Sequence, residues 1–290
     1  MSSSPACSCL SCPDHPRGGR ASARRCQVYR SSATTDAQWA IIQALLPPAG
    51  NTGGRGGRRE KWPRRLVVDA VFYLVHGGIP WRELPREFPP PSTVWTIFTR
   101  WVRAGAWARV HDALVGLLRV RSGRRAQPSA AIIDSQSVRA ADTVASPTRG
   151  YDAGKKINGR KRHIAVDTNG WLLAVLVTVA GIQDRDGGLH LLARLREHAS
   201  TITLVWADAG YAGRLVTFAA RVWGLTLEVV KRADDQVGFK VLHRRWVVER
   251  TFAWISKHRR CVRDYETRID TSEAMVHIAM IMTMSRRLAR

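Results

Sequence analysis

Two aspartates stand where α/β proteins place their chemistry. Asp134 closes the apolar run in "AAIIDSQSV" and Asp208 closes "TITLVWAD", and both runs read as β-strands. In the second, Ile202, Leu204, Trp206 and Asp208 share a face by alternation. A carboxylate in phase with an apolar row belongs at the strand's end, where the sheet opens. Ligand sites gather at the carboxyl ends of parallel strands, so the two acids converge if their strands are parallel neighbours. Gly210 and Gly213 in "DAGYAG" suit a sharp turn from strand into helix. Adjacent carboxylates repel, and one pKa rises unless a cation is bound. A pair of Mg2+ ions, with Mn2+ as a substitute, meets that need, because such ions take carboxylate, water and phosphate oxygens. Two ions activate a hydroxyl on one side of a phosphodiester and stabilise the leaving oxygen on the other. This chemistry cuts and joins DNA backbones, and it needs a third acid.

Glu249, in "HRRWVVERTFAWISKHRR", is the candidate. On a helical wheel it shares a side with Leu242, Trp246 and Ala253, while Val247, Val248, Thr251 and Ile255 cover the other. The pattern predicts a helix apolar nearly all round and largely buried. A carboxylate there must be paired or bound to metal. A pair with Arg245, one turn earlier, is the alternative, although Arg before Glu is the poorer order. The residues alone leave the two readings level.

The elements that must position these acids follow from composition and patterning. A chain of 290 residues can form two compact domains, and 45% hydrophobic content is that of a globular protein. Its 46 Lys+Arg against 23 Asp+Glu give a net charge of +23. Such a field attracts polyanions, and the flat arginine fork suits phosphate and base edges. Nucleic acid is the leading partner and a membrane surface the second. The longest apolar runs, "WLLAVLVTVA" and "MVHIAMIMTM", are about half the roughly 20 residues that cross a bilayer. The N-terminus has no apolar signal core. The expectation is a soluble cytoplasmic protein that does not enter a membrane.

Residues 1–33 are rich in Ser, Pro, Gly and Arg and read as a disordered extension. Cys7, Cys9, Cys12 and His15 crowd together there, whereas structural zinc usually takes two separated ligand pairs. Cys261 reads as a lone thiol. Residues 34–121 read as short helices. Thr35 or Asp36 caps the first, Gly77-Gly78 ends the second, "IPWRELPREF" is a short turn of helix, and Ser92 or Thr93 caps the next. Helix, short turn, helix is the plan of DNA-binding helix-turn-helix domains, with Ser92, Thr93, Thr96 and Arg100 offered to a major groove. A plain helical bundle with an arginine surface is the alternative. Residues 122–130 read as a linker. From 131 to 290, three strands, then alternating helices and strands, then two helices imply a mixed sheet with helices on its faces. "GKKINGRKRH" reads as a polar loop whose Lys155, Lys156, Arg160, Lys161 and Arg162 contact phosphate near Asp134. Arg245, Arg250 and Lys257 accompany Glu249 as further DNA contacts. Asp167 suits a hairpin turn, Asp184 and Asp186 suit helix caps, and Asp142 and Asp152 suit a polar loop.

"IIDSQSV", "GRKRHIAVDTNGWLLAVLVT", "ADAGYAG" and "RRWVVERTFAW" together resemble the DDE transposases of bacterial insertion sequences, in the insertion sequence four and five group. "TDAQWAIIQALLPP" and "GIPWRELPREFPPPSTVWTIFTRW" resemble that group's N-terminal domain, and the resemblance runs from about residue 34 to 290. It implies an α/β ribonuclease-H-like catalytic domain preceded by an all-α helix-turn-helix-like domain. It implies Asp134, Asp208 and Glu249 as the catalytic, metal-holding triad. The spacings are 208 − 134 = 74 and 249 − 208 = 41, the second too short for the large insertion some relatives carry. The wider group often shows Tyr, Arg, Glu and Lys around the Glu. Arg245 fits, whereas Leu242 and Ser256 stand at the Tyr and Lys positions, with Lys257 adjacent. The implied function is recognition of terminal inverted repeats, then metal-dependent cleavage and strand transfer into target DNA. A dimer or larger assembly on double-stranded DNA, in a nucleoid-associated cytoplasmic setting, follows. A catalytically silent DNA-binding derivative and a structure-specific DNA nuclease are the rival readings.

Overall fold

The computed structural model describes residues 31–48, 60–230 and 243–290. The zinc-like cluster at Cys7–His15 and the Gly/Arg run at 50–59 lie outside the described residues. The helices are α1 (Asp36–Leu45), α2 (Arg64–Gly77), α3 (Pro91–Arg103), α4 (Ala106–Arg121), α5 (Asp184–His198), α6 (Arg214–Trp223), α7 (His243–Ser256) and α8 (Ile269–Leu288). The strands are β1 (Ala130–Arg139), β2 (Gly150–Asp152), β3 (Ile157–Val166), β4 (Leu172–Val179), β5 (Leu204–Ala207) and β6 (Thr226–Val229). Among the described residues no helix is long and apolar enough to cross a membrane.

The strands form one sheet in the order β6-β5-β1-β3, with β2 and β4 both on the far edge of β3. β1, β5 and β6 are parallel, while β3 runs antiparallel to β1 and to β4. This is the mixed, ribonuclease-H-like sheet that the resemblance implies. Alternation sorts its side chains onto two cores. Ala131, Ile133, Ala165, Val205 and Ala207 pack with Leu191, Leu195 and Leu215 of α5 and α6. Ile132, Ile164 and Val166 pack with Val248 and Ile255 of α7 and with Met280 of α8.

The second core does not stop at the expected linker. Ile42, Val71, Phe98, Trp107 and Leu114 of the helical region belong to the same cluster as Val276 and Met280 of α8. Helix α1 shows why. Ten residues are too few to hold a helix alone, even with the Thr35–Gln38 capping box. It forms because Ile42 is wholly buried and Gln38 donates to the Ser285 hydroxyl of α8 at 3.2 Å. Its start is tied by Asp69, which accepts from the Thr34 amide and hydroxyl, and by the Arg65–Asp36 pair. Helix α2 ends as expected, with Gly78 at φ 73° as its cap. Helix α3 departs from expectation. It starts at Pro91 with no side-chain cap, so Ser92 and Thr93 lie inside its first turn.

Three desolvated histidines, His163 and His258 buried and His277 half-buried, set an acid limit on this packing. Burial pushes His163 and His258 down to about 4 and His277 to about 3. The unfolded chain keeps histidines near 6.5. As pH falls below 6.5 the unfolded state therefore takes up protons first, and stability drops until the folded pKa values are reached. Each such histidine costs about 1 kcal/mol per pH unit in that window. Urea midpoints should fall steadily from pH 7 to pH 5, and a flat profile would contradict the neutral burial of these rings.

Candidate active site

The backbone register brings the two aspartates together. β1 and β5 pair in parallel as Ala130 with Leu204, Ala131 with Val205 and Ile132 with Trp206, a constant offset of 206 − 132 = 74. Asp134 and Asp208 differ by the same 74 and follow the last β1–β5 pair, Ile132 with Trp206, by two residues on each chain segment. Asp208 stands just past the end of β5, whereas Asp134, expected to end its strand, lies within β1, which runs on to Arg139 because it stays paired with β3. Both are in phase with residues of the second core, Ile132 and Trp206, and so lie on the sheet face covered by α7. They line one crevice with Val230 and with Val248 of α7. Each carboxylate is steadied locally: Asp134 accepts from the Ser135 amide at 2.7 Å and Asp208 from the Gly210 amide at 2.9 Å.

Glu249 follows Val248 on α7, but not in the expected surroundings. Val248, Thr251, Phe252, Trp254 and Ile255 are buried, whereas Trp246, Glu249 and Ala253 face solvent. The helix is therefore amphipathic and not buried all round, and desolvation cannot be the reason for a partner. The side chain of Arg245, the alternative partner, lies outside the described residues. Among the described residues no three His, Cys, Asp or Glu side chains lie close enough together to hold a metal. The fit to a divalent ion is thus that of two hard carboxylates side by side, with a third acid on the helix covering that face.

A fourth acid was assigned a different task by its sequence context. Asp184 opens α5, yet it caps nothing: the N-cap is Gln183, without a side-chain hydrogen bond. It accepts instead from the Ser135 hydroxyl at 2.7 Å and pairs with Lys161 at 3.0 Å. Burial pushes its carboxyl up, and the Ser135 hydroxyl and Lys161 ammonium outweigh that and hold it below the usual range. Lys161 also faces Asp152 at 3.6 Å, which accepts from the Ser137 hydroxyl. Tyr211, wholly buried, lies within electrostatic reach of Asp134, Asp184 and Asp208. Burial first, and those carboxylates next, hold its phenol well above the ordinary value. No spacing rule connects Asp184 to Ser135; only the sheet does.

The expected phosphate loop is a strand in the middle of the sheet. Residues 157–166 form β3, and Arg160, Lys161 and Arg162 are 0%, 5% and 1% exposed. Arg160 pairs with Asp264 and donates to Thr148 and to the Glu266 and Thr267 carbonyls. Arg162 donates to the Cys261 carbonyl. These three side chains are occupied by the fold and do not reach a phosphate from where they stand. Lys155 and Lys156, in the β2–β3 turn, and Lys257 are exposed. Arg250 is half-buried between the rings of Trp246 and Trp254, at 4.6 and 4.9 Å, and donates to the Asn169 carbonyl, so it clamps α7 to the β3–β4 turn. Ser92, Thr96 and Arg100 share the exposed side of α3 with Trp95, while Thr93 is half-buried. Asp167 behaves as the hairpin reading expects, accepting from the Asn169 and Trp171 amides, and it is also paired with Arg119.

Residues 125–284 match the family model described as "Transposase DDE domain". The chain belongs to the DDE transposase family. Residues 34–111 match a second model, "Putative transposase of IS4/5 family", so the helical region carries the family signature as well. Curated relatives of this transposase family member agree. It is 35% identical over 113 residues to "Insertion element IS402 uncharacterized 16.2 kDa protein" of Burkholderia cepacia, covering 36% of this chain and 71% of that one. It is 34% identical over 127 residues to "Putative transposase for insertion sequence element IS402" of the same organism, covering 41% of this chain and 60% of that protein's length. Among solved structures, the Mos1 strand transfer complex aligns over 82% of this chain and 79% of that one, at 10% identity and a TM-score of 0.28. That is a remote likeness only.

Proposed function

We propose that this protein is the transposase of an insertion sequence: it binds the terminal inverted repeats of its element and carries out metal-dependent cleavage and strand transfer. The observation that supports this reading most is the shared offset of 74 between the β1–β5 register and the Asp134–Asp208 pair. It supports two neighbouring carboxylates just beyond the last β1–β5 pair, Asp134 within β1 and Asp208 one residue past β5. Asp134, Asp208 and Glu249 would hold the ions. Bound there, two divalent ions supply an activated water or hydroxyl and charge stabilisation at the leaving oxygen. Glu249 would complete the site from α7, and to do so would have to lie closer to the aspartates than it stands here.

Asp134 and Asp208 orient the scissile phosphodiester through what they hold, and Ser135 and Gly210 keep their carboxylates aimed. Water attacks the phosphorus and the element's strand leaves as a 3′ hydroxyl. That hydroxyl then attacks a target phosphodiester and displaces the target's own 3′ oxygen, so one ester replaces another. The exposed side of α3, with Ser92, Thr96 and Arg100, is the surface for reading the repeats, and the net charge of +23 supplies the pull toward DNA. Two ends must meet, which requires a dimer or larger assembly on DNA.

The test is incubation of the protein with Mg2+ and duplex DNA carrying the ends of its element. Site-specific nicking followed by joining to a second duplex is expected. Specific binding without cleavage would replace this reading with a silent DNA-binding derivative, and cleavage indifferent to the end sequence would replace it with a nuclease.

A further inference from the structure

Helices α5 and α6 lie side by side on the sheet face opposite α7, and a groove of about 680 Å3 runs between them. Its lining repeats one pattern on each helix. On α5, Arg185 is followed one turn later by Leu189; on α6, Arg214 is followed one turn later by Phe218. Each arginine is exposed, as is Phe218, while Leu189 is half-buried. Leu215 forms part of the floor and Asp186 is the one carboxylate among the lining residues. Neither arginine makes an ion pair with a described residue, and both are exposed. Phe218 is 41% exposed, an unusual state for a phenylalanine, and its ring is held edge-on to Trp223 at 5.2 Å.

The groove opens on the face opposite α7, and its Gln183 and Gly213 end lies toward Asp184 and Asp208, whose carboxylates both flank Gly210. Gly213, at the start of α6, follows Asp208 by five residues, and Gln183 precedes Asp184, whose carboxylate is bonded to Ser135 beside Asp134. Two exposed cations and an exposed aromatic ring held against Trp223 suit a phosphodiester strand whose base has left its stack. The volume is that of a small-ligand cleft, which admits a nucleotide or two but not a duplex. We propose that the α5–α6 groove binds an unpaired segment of single-stranded DNA next to the cleavage site. Arg185 and Arg214 take its phosphates and Phe218 takes a base by stacking. This assignment rests on the DNA-processing function proposed above and adds to it a second DNA site, distinct from the helical region.

The test uses the full chain in EDTA, so that no cleavage intervenes, with fluorescence anisotropy on a labelled oligothymidine and on a blunt duplex of equal length. Phe218→Ala should weaken single-strand binding about tenfold and leave duplex binding unchanged, and Phe218→Trp should restore it. Because Phe218 is exposed, the variants should keep the parent's melting temperature. The Arg185→Ala, Arg214→Ala double variant should lower the salt slope for the single strand by about 1.4, from two lost phosphate contacts. Parent-like affinity and slope in these variants, or equal losses for the duplex, would overturn the proposal. Failure of the transposase reading would appear elsewhere, as absent Mg2+-dependent nicking, with the EDTA result standing.

Discussion

Asp134→Asn should abolish Mg2+-dependent nicking at the element's ends, a fall of at least about a thousandfold, while binding of the same DNA stays within about twofold. Removing a charge that helps hold the ions forfeits several kcal/mol of transition-state stabilisation, and each 1.4 kcal/mol is about a factor of ten. Asparagine keeps the shape and can still accept from the Ser135 amide, which bonds Asp134 at 2.7 Å. The local backbone should therefore survive. End binding is assigned to the helical region, so it should persist. Asp208→Asn should behave alike, since Asp208 stands just past β5 at the same offset of 74 from Asp134. Asp142→Asn, an exposed acid outside the sheet, serves as the control. Nicking within tenfold of the parent in Asp134→Asn would remove the carboxylate pair from the mechanism, and lost end binding would mean that the site also positions the repeats.

Arg160→Ala should cost about 3–5 kcal/mol of stability, because one partner of a buried ion pair disappears and the other stays buried and charged. Asp264, only 1% exposed, would keep the Ser272 hydroxyl and the Glu266 amide but lose its cation. Three backbone carbonyls, of Thr148, Glu266 and Thr267, would lose a donor as well. Against a total stability of about 5–15 kcal/mol, that is enough to move a urea midpoint far, or to unfold the chain. Asp264→Asn is the milder companion: it keeps most hydrogen bonds and should lose about 1–3 kcal/mol. An unchanged midpoint in both variants would show that the pair does not hold β3 to the segment before α8. Where Asp264→Asn folds, its DNA affinity should keep the parent's salt slope, because Arg160 makes no phosphate contact.

The same arginine shows what patterning does not reveal. "GKKINGRKRH" looks solvated because its five Lys and Arg outnumber Asp152 and Asp167, the acids within ten residues of it. Its partners, Asp264 and Glu266, lie about a hundred residues away along the chain and meet it only after the sheet and the last helix have formed. Asp184 was hidden for a parallel reason: at the start of a helix an Asp reads as a cap, and its hydroxyl and ammonium partners sit on two other strands. Glu249 was misplaced in environment and not in position. A helical wheel counts apolar residues but does not show that only the Val248, Phe252 and Ile255 side of α7 is covered and the Glu249 side is left wet.

What the sequence determined by itself was the main helices and strands and the nearness of Asp134 to Asp208, though not that β1 runs on past Asp134 to Arg139. Alternation and helical periodicity are local, and the 74-residue spacing already contained the register later seen between β1 and β5. Only the tertiary structure decided which basic residues are free for DNA and that the helical region shares its core with α8. It alone placed a basic, aromatic groove beside the carboxylates. Those outcomes depend on contacts between distant segments, where burial is set by what packs on top of a residue and not by its neighbours in the chain.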